Sequence, residues 1–410
     1  MFIIELLFFI ALFAIIYTYV LYPVLLFFIS AAAQLFSDCR FLISKHDRRI
    51  QSRDAAKPLL MNVDNSAPSI AVIIAAYNEE KSIYERIKNL LKQTDLPSNI
   101  SIYIGSDGSD DKTIEIANSF YDAQDVDASN LHIFDFKDRR GKVSVLNELV
   151  DLAKEDILVF SDANTMFAED AIAKLLRHFN KPDIGAVVGE LVLYDPVKQG
   201  NQDSAYWQYE RLLKFHESRL NGLLGANGAI YAIRKTLYQP LKTTTLIDDF
   251  SIVMNICRQG EKVHYDPEAI AFEEVSPTVD SEFGRRVRIG AGNYQAMMEY
   301  SDFLNPKMGF RSFAFLSHKV LRWLVPHCML LVFLSNALLM WSHPIYIALF
   351  ACQLSLYSLC LLMHYTLSQW RAPTLIQLIY FMVSMNAALG LGFIQHIKGH
   401  SSGTWKRTAR

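Results

Sequence analysis

The sequence predicts an α/β domain built on a mostly parallel sheet, with membrane-spanning helices at both ends of the chain. Three observations carry that expectation. Residues 2–36 and 323–397 are almost wholly apolar. Between them, short Val/Ile-rich runs alternate with amphipathic segments. Those runs end in acids and carboxamides, as in "ILVFSDANTMF", Ile157 to Phe167.

The first apolar run, residues 1–36, contains one charge, Glu5. A bilayer crossing needs about 20 mainly apolar residues, so the run is long enough. "SAAAQ" (Ser30 to Gln34) resembles a signal cleavage site. However, no Lys or Arg precedes the run, and it exceeds the roughly 7–15 apolar residues of a secretory signal. A permanent anchor is therefore expected. Residues 37–68 then form a basic linker carrying Arg40, Lys45, Arg48, Arg49, Arg53 and Lys57. Positive flanks favour the cytoplasm. This predicts a multi-pass protein of the plasma (inner) membrane, with the N-terminus outside and the long middle section in the cytoplasm. The five cysteines form no close pair or metal spacing, which suits a reducing compartment.

The second apolar region, 323–397, divides at "SHP" and "SQWRAPT" into Trp323–Trp341, Ile345–Leu367 and Leu375–Ile397. Such continuous runs offer water no polar face, so membrane helices are expected rather than a soluble bundle. An interfacial segment, 301–322, with Arg311, Lys319 and Arg322, leads into them, and a basic tail, 398–410, follows. Three crossings would leave that tail outside, against the charge rule. Either the stretch around Pro326 is re-entrant or interfacial, or the tail is external.

Between these regions, residues 69–300 are expected to form one α/β domain. "SIAVIIAA", "NISIYIG", "LHIFDF" and "DILVF" read as strands, each followed by a helical pattern, and "IGAVVGELVLY" as a further strand. Apolar strands alternating with helices indicate a sheet covered on both faces. Ligands then bind beyond the carboxyl ends of the strands. A net charge of −2 supplies no basic field for nucleic acid. No P-loop or GxGxxG follows any strand, which excludes the ATPase and dinucleotide fingerprints.

Asn78, Glu79, Asp107, Asp162 and Asn164 fall at predicted strand ends. Asp110 and Asp111 precede "KTIEIANSF" and suit helix capping. Asp162 does not, because the next helix starts several residues later. An acid and a carboxamide two apart suit Mg²⁺ or Mn²⁺ shared with substrate phosphates. Lys142, at a helix start in "RRGKVSVLN", could meet the same phosphates. Asp248 and Asp249 in "LIDDFSIV" read either as caps or as a general base. Arg285, Arg286 and Arg288 read either as phosphate forks or as a membrane-surface patch.

"AAYNEE", "SDGSDDKT", "RRGKVSVLN", "VFSDANTMF", "GANGAIYAIRK", "IDDFSIVMNICRQG" and "RRVRIGAGN" occur in one order. In that order the chain resembles the membrane-bound family 2 glycosyltransferases, which include hyaluronan, cellulose, chitin and poly-N-acetylglucosamine synthases. The resemblance implies a GT-A fold and an inverting transfer of a hexosyl or N-acetylhexosaminyl group. The donor would be a nucleotide-sugar, usually a UDP-sugar, and the acceptor a saccharide or a lipid-linked molecule. Tyr77, Glu79 and Asp107 would hold the nucleoside, with Lys142, Asp162, Arg285 and Arg288 on the diphosphate. Asp162 and Asn164 would hold the metal. Asp249 would be the catalytic base, with Asp248 beside it, and Gly225, Asn227 and Gly228 would meet the acceptor. Two departures stand out. Asn164 replaces an acid, and Arg285 to Ile289 lack the Trp of QxxRW, an aromatic platform used in processive synthesis. These departures favour an alternative, a weakly catalytic homologue that binds nucleotide or polysaccharide and regulates a partner. One anchor and three C-terminal helices make a small bundle, which a homodimer or an accessory membrane subunit could enlarge.

Overall fold

The computed structural model describes residues 1–44, 68–96, 100–122, 129–195, 200–201, 205–274, 279–365 and 373–399. The basic residues between Lys45 and Lys57 and almost all of the C-terminal tail lie outside the described residues. The chain divides into two compact units. One comprises Met1–Ile29 with Thr278–Ser401, and the other Ser30–Pro277.

The chain opens with helices α1 (Phe2–Ile16) and α2 (Tyr22–Ser44), joined by a π-helical turn at Tyr17–Leu21. Nine strands follow, namely β1 (Ile70–Ala76), β2 (Ile100–Asp107), β3 (Leu131–Phe136), β4 (Ile157–Phe160), β5 (Met166–Phe167), β6 (Ile184–Asp195), β7 (Gly200–Asn201), β8 (Tyr231–Arg234) and β9 (Lys262–Glu274). The helices among them are α3 (Ile83–Leu91), α4 (Thr113–Asn118), α5 (Lys142–Leu152), α6 (Ala171–Leu176), α7 (Ala205–Arg219) and α8 (Asp248–Arg258). The C-terminal part contains α9 (Val279–Glu299), α10 (Phe310–Ala314), α11 (Leu321–Leu339), α12 (Pro344–Tyr365) and α13 (Thr374–Ile397).

The strands of the Ser30–Pro277 unit form one sheet in the order β3-β2-β1-β4-β8-β6-β9-β5, with β7 on β6. The parallel arrangement expected from the alternation holds for β3, β2, β1 and β4. Beyond β4 the sheet is mixed. β8 runs antiparallel to both β4 and β6, while β6 and β9 are parallel to each other. All seven residues of β1 are buried, as a strand covered on both faces requires. Ile83, Ile87 and Leu90 of α3, Ile102 and Ile104 of β2, and Ile172 and Leu175 of α6 complete the core around it. Each such side chain contributes about 1.5–3 kcal/mol of burial free energy.

In the other unit, among the described residues, four helices are long and apolar enough to cross a membrane: Phe2–Ile43, Phe310–Leu339, Pro344–Tyr365 and Ile376–Ile397. The first of these continues into residues assigned to the sheet unit. Pro326 lies inside α11, within continuous helix, and no re-entrant turn occurs there. The π-helical turn at Phe315–Val320 precedes it by one helical turn or so. Phe8 and Ala11 of α1 pack with Val332 and Leu339 of α11 and Tyr346 of α12.

Candidate functional site at the carboxyl ends of the strands

β1 delivers its polar tip through Asn78, whose φ of 55° is tolerated by an Asn. Its amide nitrogen donates to Asp110 Oδ1 at 2.5 Å, and its oxygen accepts the Asp110 N–H at 3.0 Å. Asp111 accepts the N–H groups of Glu80 and of Thr113, the first residue of α4. Asp110 thus fastens two loops together, and Asp111 starts a helix, as its position before "KTIEIANSF" predicts. The Glu79 carboxylate accepts the Ser82 hydroxyl at 2.6 Å, next to the start of α3. Glu79 and Asn164 also line one cavity of about 410 Å³, together with Lys81, Glu85, Tyr194 and Phe272.

At the tip of β2, Asp107 is fully buried. Its carboxylate accepts the backbone N–H of Arg140 at 2.7 Å and of Gly141 at 3.0 Å. Asp107 therefore ties down the loop from which α5 starts, and with it the backbone of Lys142. The Arg139 guanidinium lies 3.8 Å from the centre of the Tyr77 ring, which joins this loop to the end of β1.

Lys142 is the centre of the arrangement. Its Nζ donates to Asp162 Oδ1 at 2.8 Å and lies 3.1 Å from Asp248 Oδ2. Asp162 comes from the loop after β4, and Asp248 and Asp249 open α8. Asn147 of α5 steadies the approach to α8. It donates to the Leu241 carbonyl at 2.9 Å and accepts the Tyr238 hydroxyl at 2.7 Å. Gly228 closes the group from a fourth direction. A Cβ there would lie 3.2 Å from Asp162 Oδ2 and 3.7 Å from Asp249 Oδ2. The missing side chain leaves space between two carboxylates. Gly225, with φ of 88°, presses its backbone on the Phe250 ring, where any Cβ would sit 2.4 Å from Cδ2. Among the described residues, the buried Nδ2 of Asn227 and the buried hydroxyl of Tyr231 have no hydrogen-bond partner.

The electrostatics follow from three acids around one base. Burial would lower the Lys142 pKa, but Asp162, Asp248 and Asp249 raise it above the ordinary lysine value, so the ammonium persists. Burial and repulsion from Asp248 push the Asp249 pKa up to about 7, against the opposing pull of Lys142. A carboxyl poised there can exchange a proton near neutral pH. Among the described residues no three His, Cys, Asp or Glu side chains form a metal cage. Mg²⁺ and Mn²⁺ at diphosphates need only one or two protein oxygens. Asp162 Oδ2, beside the space over Gly228, fits that requirement.

Lys142, Asp162, Asp248, Asp249 and Gly228 are thus brought together, while Asn164 lines the neighbouring cavity with Glu79. Arg285 and Arg288 belong to the other unit, on α9. There Arg285 forms two hydrogen bonds to Glu282, at 2.9 and 3.0 Å, and Arg288 is exposed. Sequence reasoning passed over Arg139, although it stands in the "RRGK" run that pointed to Lys142. It also missed Tyr231, for which an aromatic in an apolar strand gives no signal.

A half-parallel, half-mixed sheet with acids at the strand tips and a lysine at a helix start fits a GT-A glycosyltransferase fold. Residues 71–240 match the family described as Glycosyl transferase family 2, and residues 157–389 that described as Glycosyl transferase family group 2. The chain belongs to the family 2 glycosyltransferases. It is 23% identical over 246 residues to the poly-beta-1,6-N-acetyl-D-glucosamine synthase of Staphylococcus epidermidis, covering 58% of each chain. It is 24% identical over 245 residues to that of Staphylococcus aureus strain COL, covering 58% of this chain and 57% of the relative. The matches thus span less than two thirds of these relatives. A mannosyltransferase from Pyrobaculum calidifontis, solved in complex with GDP-Man and Mn²⁺, shares the fold over 92% of this chain and 97% of its own. The TM-score is 0.62 at 18% identity.

Proposed function

We propose that the chain moves a hexosyl or N-acetylhexosaminyl group from a nucleotide-diphosphate-sugar to a saccharide or lipid-linked acceptor at a membrane, in polysaccharide or glycoconjugate synthesis. The single observation that carries this reading is the convergence of Lys142, Asp162, Asp248 and Asp249 beneath Gly228. It supplies a fixed positive charge for a diphosphate and a carboxylate able to take a proton, on either side of a space without a side chain.

In this reading Asp249 accepts the proton of the acceptor hydroxyl. The freed oxygen attacks the anomeric carbon, and the bond from that carbon to the diphosphate oxygen breaks on the opposite face, inverting the centre. Lys142 stabilises the charge that grows on the departing diphosphate. Asp248 keeps Lys142 in place and, by repulsion, keeps Asp249 basic enough to act. Asn227, with its unpartnered amide nitrogen, and the backbone at Gly225 and Gly228 would meet the acceptor. Tyr77 and Glu79 would hold the nucleoside, and Asp107 acts on the donor through the loop it ties down. Mg²⁺ or Mn²⁺, held by Asp162 with Asn164, would neutralise phosphate charge when bound. The catalytic part is assigned to the cytoplasmic side of the plasma (inner) membrane, crossed by the four apolar helices.

The test is to incubate membranes containing the protein with a panel of UDP- and GDP-sugars, with Mg²⁺ or Mn²⁺, and to measure released nucleoside diphosphate. Release that stops with chelator is expected. Silence with every donor, while nucleotide still binds, would replace the enzyme by a regulatory binder. Sizing the product separates a chain builder from a single-step transferase.

A further inference from the structure

Arg86 lies on α3 among Ile83, Ile87 and Leu90, the residues that face the core, and it is itself fully buried. A guanidinium in that setting ordinarily meets a carboxylate. Here Nη1 donates to Asn89 Oδ1 at 2.9 Å, while Nε and Nη2 have no hydrogen-bond partner among the described residues. The guanidinium instead rests on an aromatic face, 4.1 Å from the centre of the Phe167 ring. Asn89 holds the backbone of the same residue on both sides. It donates to the Phe167 carbonyl at 2.8 Å and accepts the Phe167 N–H at 2.8 Å.

Phe167 ends the short segment that begins at Asp162. Within that segment the buried Thr165 hydroxyl also has no partner. Burial lowers the Arg86 pKa to about 9, and the charge that opposes this is that of Asp162. A buried charge with two idle donors destabilises a fold by several kcal/mol, and a neutral side chain of similar length would fill the space without that penalty. Asn89 fastens the Phe167 backbone, and the guanidinium meets the Phe167 ring, at the end of the segment that carries Asp162.

We propose that Arg86 is a positioning residue of the donor site: seated on Phe167, it holds the Asp162–Phe167 segment from which Asp162 reaches Lys142. This rests on the donor-site reading above. Arg86 touches neither substrate nor Lys142. It acts through Phe167 and Asp162.

The test uses the detergent-purified full chain and three variants, Arg86→Met, Arg86→Lys and Phe167→Leu. Three quantities are read: the thermal midpoint, the Kd for UDP or GDP alone, and donor KM against kcat. Arg86→Met is expected to keep or raise the midpoint, because an unpaired buried charge is gone, while nucleotide Kd and donor KM rise about tenfold, or ~1.4 kcal/mol. Arg86→Lys should recover to within about threefold of the wild type. Phe167→Leu keeps the charge but removes its seat, and should raise Kd about threefold. The proposal is overturned if Arg86→Met leaves Kd and KM within about twofold, or if midpoint and kcat fall together, and equally, in Arg86→Met and Arg86→Lys, as for a structural arginine. Should Arg86→Met not fold, an unchanged Kd in Phe167→Leu is equally fatal. A wild type that binds neither nucleotide overturns the donor-site reading and this inference together. A wild type that binds with indifferent variants overturns this inference alone.

Discussion

Replacing Asp249 by Asn should abolish turnover and, at alkaline pH, make the protein more stable. The ordinary carboxylate value of 3.8 is raised to about 7 by burial and by Asp248. Between those values the folded state holds a proton that the unfolded chain has lost. Stability therefore falls as pH rises from about 4 to about 7 and stays lower above it. Three pKa units correspond to about 4 kcal/mol, and halving this for solvent screening at a half-buried group leaves about 2 kcal/mol. Asn carries no charge and can still accept the Phe250 N–H bond that Asp249 Oδ1 accepts at 2.8 Å. In a domain of this size each kcal/mol moves the thermal midpoint by about 2–4 °C. At pH 8.5 the variant should melt about 4–8 °C above the wild type, and at pH 5, where about a third of the loss has set in, only about 1–3 °C above it. Thermal unfolding of detergent-solubilised protein at both pH values measures the difference. Equal offsets at the two pH values, or a variant weaker at pH 8.5, would refute the cluster as described.

Two further outcomes follow from the same geometry. Because Lys142 opposes the upward shift of Asp249, Lys142→Met should move the acid limb of the residual rate from about pH 7 to higher pH. A pH–rate profile reads this, and an unmoved limb would separate Asp249 from the base role. Gly228→Ala would add a methyl group 3.2 Å from Asp162 Oδ2, which the side chains can absorb by shifts of a few tenths of an ångström. The thermal midpoint should hardly change, while nucleotide-diphosphate release drops by about 10–100-fold, since the methyl occupies the space between Asp162 and Asp249 and displaces whatever is positioned there. Unimpaired release would mean that no substrate enters the space above Gly228.

Much of this molecule is written in local pattern. The apolar runs identify β1, β2, β3 and β4 and the patterns between them identify the helices, because a strand covered on both faces, as β1 and β4 are, is apolar along its length. Length and hydropathy alone mark the four helices able to cross a bilayer. The abrupt change from apolar run to polar tip marks Asn78, Glu79, Asp107, Asp162 and Asn164 as residues of one sheet edge, while Asp248 and Asp249 read as caps or as a base ahead of a helix. What local pattern does not contain is direction and partner. Strand β8 enters antiparallel to β4 and β6, a choice made by long-range pairing rather than by its own four residues. Asp107 and Asp162 look alike in the sequence, yet one is consumed by loop backbone and the other is bonded to Lys142. Arg86 looks like an ordinary charged helix residue until the packing of α3 turns it inward. By itself the sequence determined the elements, the membrane helices and the sheet edge at which polar chemistry collects. Only the tertiary structure decided which acids share one lysine and which arginine is buried without a carboxylate, because charges act through distance and burial, and both are set by residues far apart along the chain.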